Sequence, residues 1–267
     1  MNRKESFPRL FVTDLDGTLL GGGLRPYSRI PDAVCRLLDR LDRSGCQWMT
    51  NTAWEARPQI DLIAASSMVS RPLYISGSVG MELGVLKGGE LAEVQPYTAQ
   101  HRERLAEVCR SGLHPFVKEM CGRFDSGFIL FNGFWFALTP VEGQLEAMFA
   151  YLRERQPQLP ELVISLLPHE KRFHAHPAFL TKDKPIREAM RLHDLTPDQI
   201  VVAGDELPDL PMMDPAVAAH AICPGNAHPE VKRRVLEMGG VVGEADCGAG
   251  IVQAFEALCA KNGWQLN

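Results

Sequence analysis

The sequence is short of the features that mark most specialised protein classes. Among its 267 residues, 28 Lys and Arg stand against 33 Asp and Glu, a formal net charge of -5. That balance excludes the basic excess expected of a nucleic-acid binder or a protein that lies on an anionic membrane. No apolar run approaches the roughly 18 residues needed to span a bilayer. The opening Met1-Asn2-Arg3-Lys4-Glu5 leads into no apolar secretory core. Seven cysteines (Cys35, Cys46, Cys109, Cys121, Cys223, Cys247 and Cys259) are scattered without a Cys-x-x-Cys pair. They suit reduced thiols better than a disulfide framework or a zinc ribbon, so a cytoplasmic protein is expected. Gly77, Gly80 and Gly84 do not make a G-x-G-x-x-G, no G-x-x-x-x-G-K-[ST] exists, and Ser76-Gly77-Ser78 lacks the G-x-S-x-G spacing. Dinucleotide, P-loop and hydrolase-elbow chemistries thus have no support. There is no internal repeat, and no low-complexity tract beyond Gly21-Gly22-Gly23.

What is present is ordinary for a folded chain, with 45% hydrophobic and 23% charged residues. In the first third, apolar runs at 10–12, 46–49 and 73–75 read as strands. Helical spacing of Val34, Leu37, Leu38 and Leu41 predicts a helix over 30–43, with a second over 54–65. The last third repeats this rhythm, with helices at 185–193, 228–238 and 250–260 and strands at 200–203 and 217–222. Alternating strands and helices imply a parallel sheet with crossover helices. The middle differs. Lys87-Gly88-Gly89-Glu90 and Asn132-Gly133 each read as a hairpin turn, followed by a helix over 141–155 and strands at 162–167 and 172–176. This is an α+β segment inserted into an α/β chain. The joins are placed near Met81 and Pro177, giving a core of 1–81 and 177–267 and an insertion of 82–176.

Chemistry concentrates at two strand ends. Asp14-Leu15-Asp16-Gly17-Thr18 follows the first apolar run, and Gly204-Asp205-Glu206-Leu207-Pro208-Asp209 follows the run ending at Ala203. Ligands of open parallel sheets bind outside the carboxyl ends of strands. Carboxylates there form an oxygen-donor set for a hard cation such as Mg²⁺. Each segment alone also reads as a polar turn or a solvated acidic loop. An EF-hand loop fails, because Thr18, Leu19 and Arg25 occupy positions that need an acid, a glycine and a glutamate.

Taken together with Thr50 at the end of the second strand, Lys182 in Thr181-Lys182-Asp183-Lys184-Pro185-Ile186, and Pro224-Gly225-Asn226-Ala227 followed by Val231-Lys232, these segments resemble the ordered motifs of the haloacid dehalogenase-like (HAD) superfamily of phosphatases. Order and spacing are similar to its sugar-phosphatase branch (Cof-type, with relatives of the sucrose-phosphate phosphatases). The resemblance covers the core throughout and the insertion in position and size. It departs at Asn51-Thr52, where Gly-Arg is usual, at Pro208, where an Asn is usual, and at Asp183, where a Gly follows the lysine; Lys184 is the alternative lysine. These departures bear on substrate class.

The resemblance implies an α/β fold: a Rossmann-like parallel-sheet core with an inserted α+β cap that sets specificity and closes over Asp14. It implies a Mg²⁺-dependent phosphatase of small phosphorylated metabolites, sugar phosphates first. Asp14 is the implied nucleophile and Asp16 the acid and base. Asp14, the backbone carbonyl of Asp16, and Asp205 are the implied metal ligands, supported by Asp209. Thr50, Asn51, Lys182, Asn226, Arg172 and His174 are the implied substrate contacts. A second Asp two residues after the first favours phosphoryl transfer over dehalogenation. The alternatives are a phosphomutase and a non-catalytic phosphometabolite-binding protein. No nucleic-acid or membrane partner is expected, and a homodimer is left open. His169, His174 and His176 also invite a zinc reading, against which stand surface or core histidines. The aromatic hairpin of Phe128, Phe131, Phe134, Trp135 and Phe136 reads as insertion core, with one face available to a sugar ring.

Overall fold

A computed structural model describes residues 6–21, 27–167 and 171–267, apart from the side chain of Leu167. The expectations resting on residues 1–5, Gly22, Gly23, Arg25 and His169 lie outside the described residues. From the amino end come β1 (Leu10–Thr13), α1 (Asp32–Arg43), β2 (Gln47–Asn51), α2 (Ala56–Ala64) and β3 (Tyr74–Gly77). A hairpin of β4 (Glu82–Lys87) and β5 (Glu90–Glu93) follows. Next are α3 (Tyr97–Val108), α4 (His114–Arg123), β6 (Ser126–Phe131), β7 (Trp135–Pro140), α5 (Leu145–Arg155), β8 (Leu162–Leu167) and β9 (Arg172–Pro177). The chain ends with α6 (Asp183–His193), β10 (Ile200–Ala203), β11 (His220–Cys223), α7 (Pro229–Glu237), β12 (Val241–Val242) and α8 (Cys247–Asn262).

Two units result, Met1–Gln95 with Thr181–Asn267, and Pro96–Leu180. The first holds an eight-stranded sheet in the order β12-β11-β10-β1-β2-β3-β4-β5. Pairing is parallel from β12 to β3 and antiparallel through β4 and β5. All residues of β1 and β10 are buried, as expected of strands covered by helices on both faces. α1 turns Val34, Cys35, Leu37, Leu38 and Leu41 inward, begins on Asp32 and ends on Arg40 and Arg43, charges that suit its dipole. Phe11 of β1 meets Phe255 of α8 edge-on, with ring centroids 5.0 Å apart.

The expected joins at Met81 and Pro177 move to the boundaries after Gln95 and Leu180. The reason is hydrogen bonding: β4 pairs antiparallel with β3, so the first hairpin extends the core sheet and does not open the insertion. The second unit is an antiparallel sheet, β6-β7-β9-β8, with α3, α4 and α5. α3 and α4, joined by a π-helical turn over Cys109–Leu113, had no expectation in the sequence because they lack a clean apolar stripe. Phe116, Phe136 and Phe173 form an aromatic cluster, with centroids 5.6–6.2 Å apart. Phe134 and Phe136 are core as expected, whereas Phe128 and Phe131 stand exposed because β6 is the edge strand. Among the described residues no helix is long and apolar enough to cross a membrane.

Phe136 is fully buried between two other rings. Phe136→Ala is expected to destabilise the protein by about 3–5 kcal/mol, read as a lower midpoint in urea unfolding followed by circular dichroism.

Candidate active site

Register brings the motif segments together. Thr13 sits between Ala203 on one side and Thr50 on the other, so β1, β2 and β10 end level. Past those ends the chain delivers Asp14, Asn51 and Asp205 to one place. The turn after Asp14 is closed by the Leu15 carbonyl, which accepts from the amides of Thr18, Leu19 and Leu20. Gly17 takes φ 83°, and a Cβ there would lie 2.2 Å from Asp205 Oδ2, so both conformation and space demand glycine. Thr18 donates its hydroxyl to Asp205 Oδ1 at 2.6 Å, tying this turn to β10.

Lys182 stands immediately before α6 and is 3% exposed. Its Nζ lies 3.0 Å from Asp14 Oδ1 and 2.5 Å from Asp209 Oδ1. The other oxygen of Asp209 accepts from the amides of Asp205 and Glu206, at 2.8 and 3.0 Å. Lys182 is thus the lysine of this segment that meets Asp14 and Asp209, whereas Lys184 is exposed on α6. The β3 exit turn braces this point. Ser78, Val79 and Gly80 are all left-handed, and a Cβ on Gly80 would sit 3.0 Å from both Pro185 Cδ and the Thr181 carbonyl. A β-branched Val79 at φ 57° is strained, and its amide is held by the Thr52 carbonyl at 3.1 Å.

Burial pushes the Asp14 carboxyl up to about 6, with Lys182 pulling it down and Asp209 pushing it up. Burial likewise lifts Asp205 to about 7; the Thr18 hydrogen bond opposes this, and the charges of Asp14 and Asp209 add to it. Lys182 is held above its usual range: burial opposes its charge, but Asp14 and Asp209 outweigh it. Ligand atoms of Asp14, Asp205 and Asp209 lie within 4.8 Å of one another. Asp14 Oδ1 is paired with the Lys182 ammonium. Three mutually repelling buried carboxylates around a single ammonium fit a hard divalent cation. Asp209, whose oxygens serve Lys182 and two amides, fits a supporting place; the open donors are those of Asp14 and Asp205.

Several expected roles shift. Strand alternation puts Thr50 on the face of Trp48 and Thr13, where its hydroxyl donates to Gln59 Oε1 of α2 at 2.6 Å. Thr50, expected as a phosphate contact, is fully buried with its hydroxyl on Gln59. Asn51, one residue on, faces the other way and donates to the Lys182 carbonyl at 2.6 Å. Asn226, expected as a substrate contact, donates its side chain to the Gly17 carbonyl at 2.8 Å and accepts from the Cys247 amide at 2.7 Å. The Asp16 carboxylate stands outside the metal-type cluster, half-buried, and accepts at Oδ1 from the Tyr27 hydroxyl. Arg172 and His174 lie on β9 of the second unit, where His174 meets the Trp135 ring edge-on. His176 stacks on Trp135 at 4.3 Å. Tyr27 and Gln59 carried no motif signal in the sequence.

No protein-family model and no curated protein matches the chain. Solved structures do share its fold. The sucrose-phosphatase from Synechocystis sp. PCC6803, in complex with sucrose and phosphate, is 16% identical, with a TM-score of 0.65 over 97% of this chain and 99% of that one. A phosphatase of the haloalkanoate (HAD) enzyme superfamily from Bacteroides thetaiotaomicron is 15% identical, with a TM-score of 0.61 over 96% of each chain. A haloacid dehalogenase-like hydrolase from the same organism is 16% identical, with a TM-score of 0.58 over 94% of this chain and 99% of that one. At such identities the likeness establishes the fold: the chain has the α/β fold of the HAD-type phosphatases.

The raised carboxyls make a pH prediction. Asp14 and Asp205 bind protons in the metal-free fold at a pH where the unfolded chain, titrating near 3.8, has released them. Stability from these groups is therefore full below about pH 4 and is lost as pH rises through about 7. Asp205→Asn, which keeps an acceptor for Thr18, is expected to stabilise the metal-free protein at pH 8 by on the order of 2 kcal/mol and to leave pH 4 unchanged, measured by thermal unfolding in chelator.

Proposed function

We propose that this chain is a Mg²⁺-dependent phosphatase that hydrolyses small phosphorylated metabolites, sugar phosphates first, through an aspartyl-phosphate on Asp14. The observation that carries the reading is Asp14 itself: a buried carboxylate at a central strand end, held by a buried lysine and flanked by two further carboxylates. The HAD-type fold and the likeness to a sucrose-phosphatase support it.

In the first step an Asp14 oxygen bonds to phosphorus as the phosphorus–ester oxygen bond breaks. The electron pair stays on the ester oxygen, which takes a proton from the Asp16 carboxyl and leaves as alcohol. In the second step the Asp16 carboxylate takes a proton from water, whose oxygen bonds to phosphorus. The bond to Asp14 breaks, inorganic phosphate leaves, and Asp14 is a carboxylate again. Nucleophile and phosphate are both anions; at 4 Å two like charges repel by about 4 kcal/mol at an effective dielectric of 20. Asp14 and Asp205 would hold a Mg²⁺, which would supply charge neutralisation here. Lys182 contributes the chain's own share, orienting Asp14 and facing the phosphoryl oxygens, while Asp209 keeps the ammonium in place. Asn51 fixes the Lys182 backbone and so the start of α6. The unit Pro96–Leu180, with Arg172 and His174, is the part to which specificity is assigned.

Phosphate release from a panel of sugar phosphates and phosphorylated sugar acids, with Mg²⁺ or chelator, tests this. Release is expected only with Mg²⁺, and Asp14→Asn is expected to lower it by at least about 10³-fold. Silence of folded, Mg²⁺-loaded protein across the panel sinks the proposal.

A further inference from the structure

A general acid works only if its proton faces the leaving oxygen, and Asp16 is placed where its rotamer needs a hold. It lies half-buried on the outer part of the turn that follows Asp14, joined to Leu20 by a single bridge. On the segment returning to α1, Tyr27 donates its hydroxyl to Asp16 Oδ1 at 3.2 Å. The Tyr27 ring runs nearly parallel to Trp54, with planes 15° apart and centroids 6.4 Å apart. Trp54 is fixed in turn: its carbonyl accepts from the Ser78 amide at 2.9 Å and from Gln59 Nε2 at 3.1 Å. Ser78 opens the left-handed turn that braces the start of α6. A continuous line of contacts thus leads from the strained β3 exit, through Trp54 and Tyr27, to one oxygen of Asp16.

We propose that Tyr27 is a positioning residue for Asp16, holding its carboxyl in the rotamer that hands a proton to the leaving oxygen, with Trp54 as the wall behind it. The proposal rests on the acid–base role given to Asp16 above. A phenol hydroxyl donates equally to a carboxylate oxygen and to the carbonyl oxygen of a carboxylic acid. The Tyr27 bond is therefore compatible with either protonation state of Asp16. At 3.2 Å the bond is longer than a usual O–H···O contact, as catalytic hydrogen bonds often are before substrate tightens them.

Leaving-group dependence tests this role. A nitrophenolate departs without a proton, whereas the alkoxide of a sugar or alkyl phosphate needs one. Tyr27→Phe is expected to lower kcat on an alkyl phosphate by about tenfold to a hundredfold with little change in KM, and to leave p-nitrophenyl phosphate within about threefold. Trp54→Leu is expected to show the same selectivity at smaller size. Crystal structures are expected to show Asp16 in one rotamer in the unaltered protein and in more than one in Tyr27→Phe. An equal loss on both substrates, or no loss on either, overturns the proposal, as does an unmoved Asp16. If the unaltered protein hydrolyses neither ester, or Asp14→Asn keeps full activity, the phosphatase reading itself falls, and this proposal with it.

Discussion

One ammonium group organises the site. Lys182 is taken almost wholly out of water, a cost of several kcal/mol for any ion, and stays charged because Asp14 and Asp209 flank it. The same contact sets the state of its partners. It favours the charged form of an Asp14 carboxyl that burial pushes toward protonation, and it occupies an oxygen of Asp209. Three strands converge on this lysine. β2 reaches its carbonyl through Asn51, β3 packs its exit turn against the chain beside it, and β10 presents Asp209 from the loop it leads into. A shift in any of them moves the ammonium relative to Asp14.

The cluster is poised against itself without a cation. Its carboxylates raise one another's proton affinity, and one ammonium faces three of them. Stability given up at a site is a common companion of function, because the groups that a ligand will pair must be held apart from protein partners until it arrives. The rest of the first unit carries that strain. Its central strands are buried on both faces, and α1, α6 and α7 carry charges of the favourable sign at both ends.

Much of this was legible in the sequence, for identifiable reasons. β1 and β10 are four-residue apolar runs between polar turns, and such runs leave little alternative to a buried strand. Acids directly after them had to emerge at the sheet's carboxyl end, so Asp14, Asp205 and Asp209 could be read from position alone. Thr50 could not. Its partner depends on which face a strand residue takes, a shift of one position exchanges faces, and here the hydroxyl turns to Gln59. Asn226 shows the same limit, since spacing places it near the turn but not which of its neighbours its amide spans. The hairpin of β4 and β5 was read correctly as a hairpin and assigned to the wrong unit, because local turn chemistry says nothing about which sheet edge a strand joins. Tyr27 was invisible for a related reason: its contacts to Asp16 and Trp54 are tertiary.

The strand pairing of β1 has a consequence for how the chain is made. Leu10 is hydrogen-bonded into register with Ile200, and the whole of Pro96–Leu180 is synthesised between them. At about 5–20 residues per second on the ribosome, β1 waits roughly 10–40 s for its second neighbour. During that time its inner edge, apolar and destined for the middle of the sheet, is open to any extended segment nearby. The intervening unit is contiguous in sequence and can close first, so the order of completion runs opposite to the order of synthesis. A chaperone that shields a bare strand edge would find its target here.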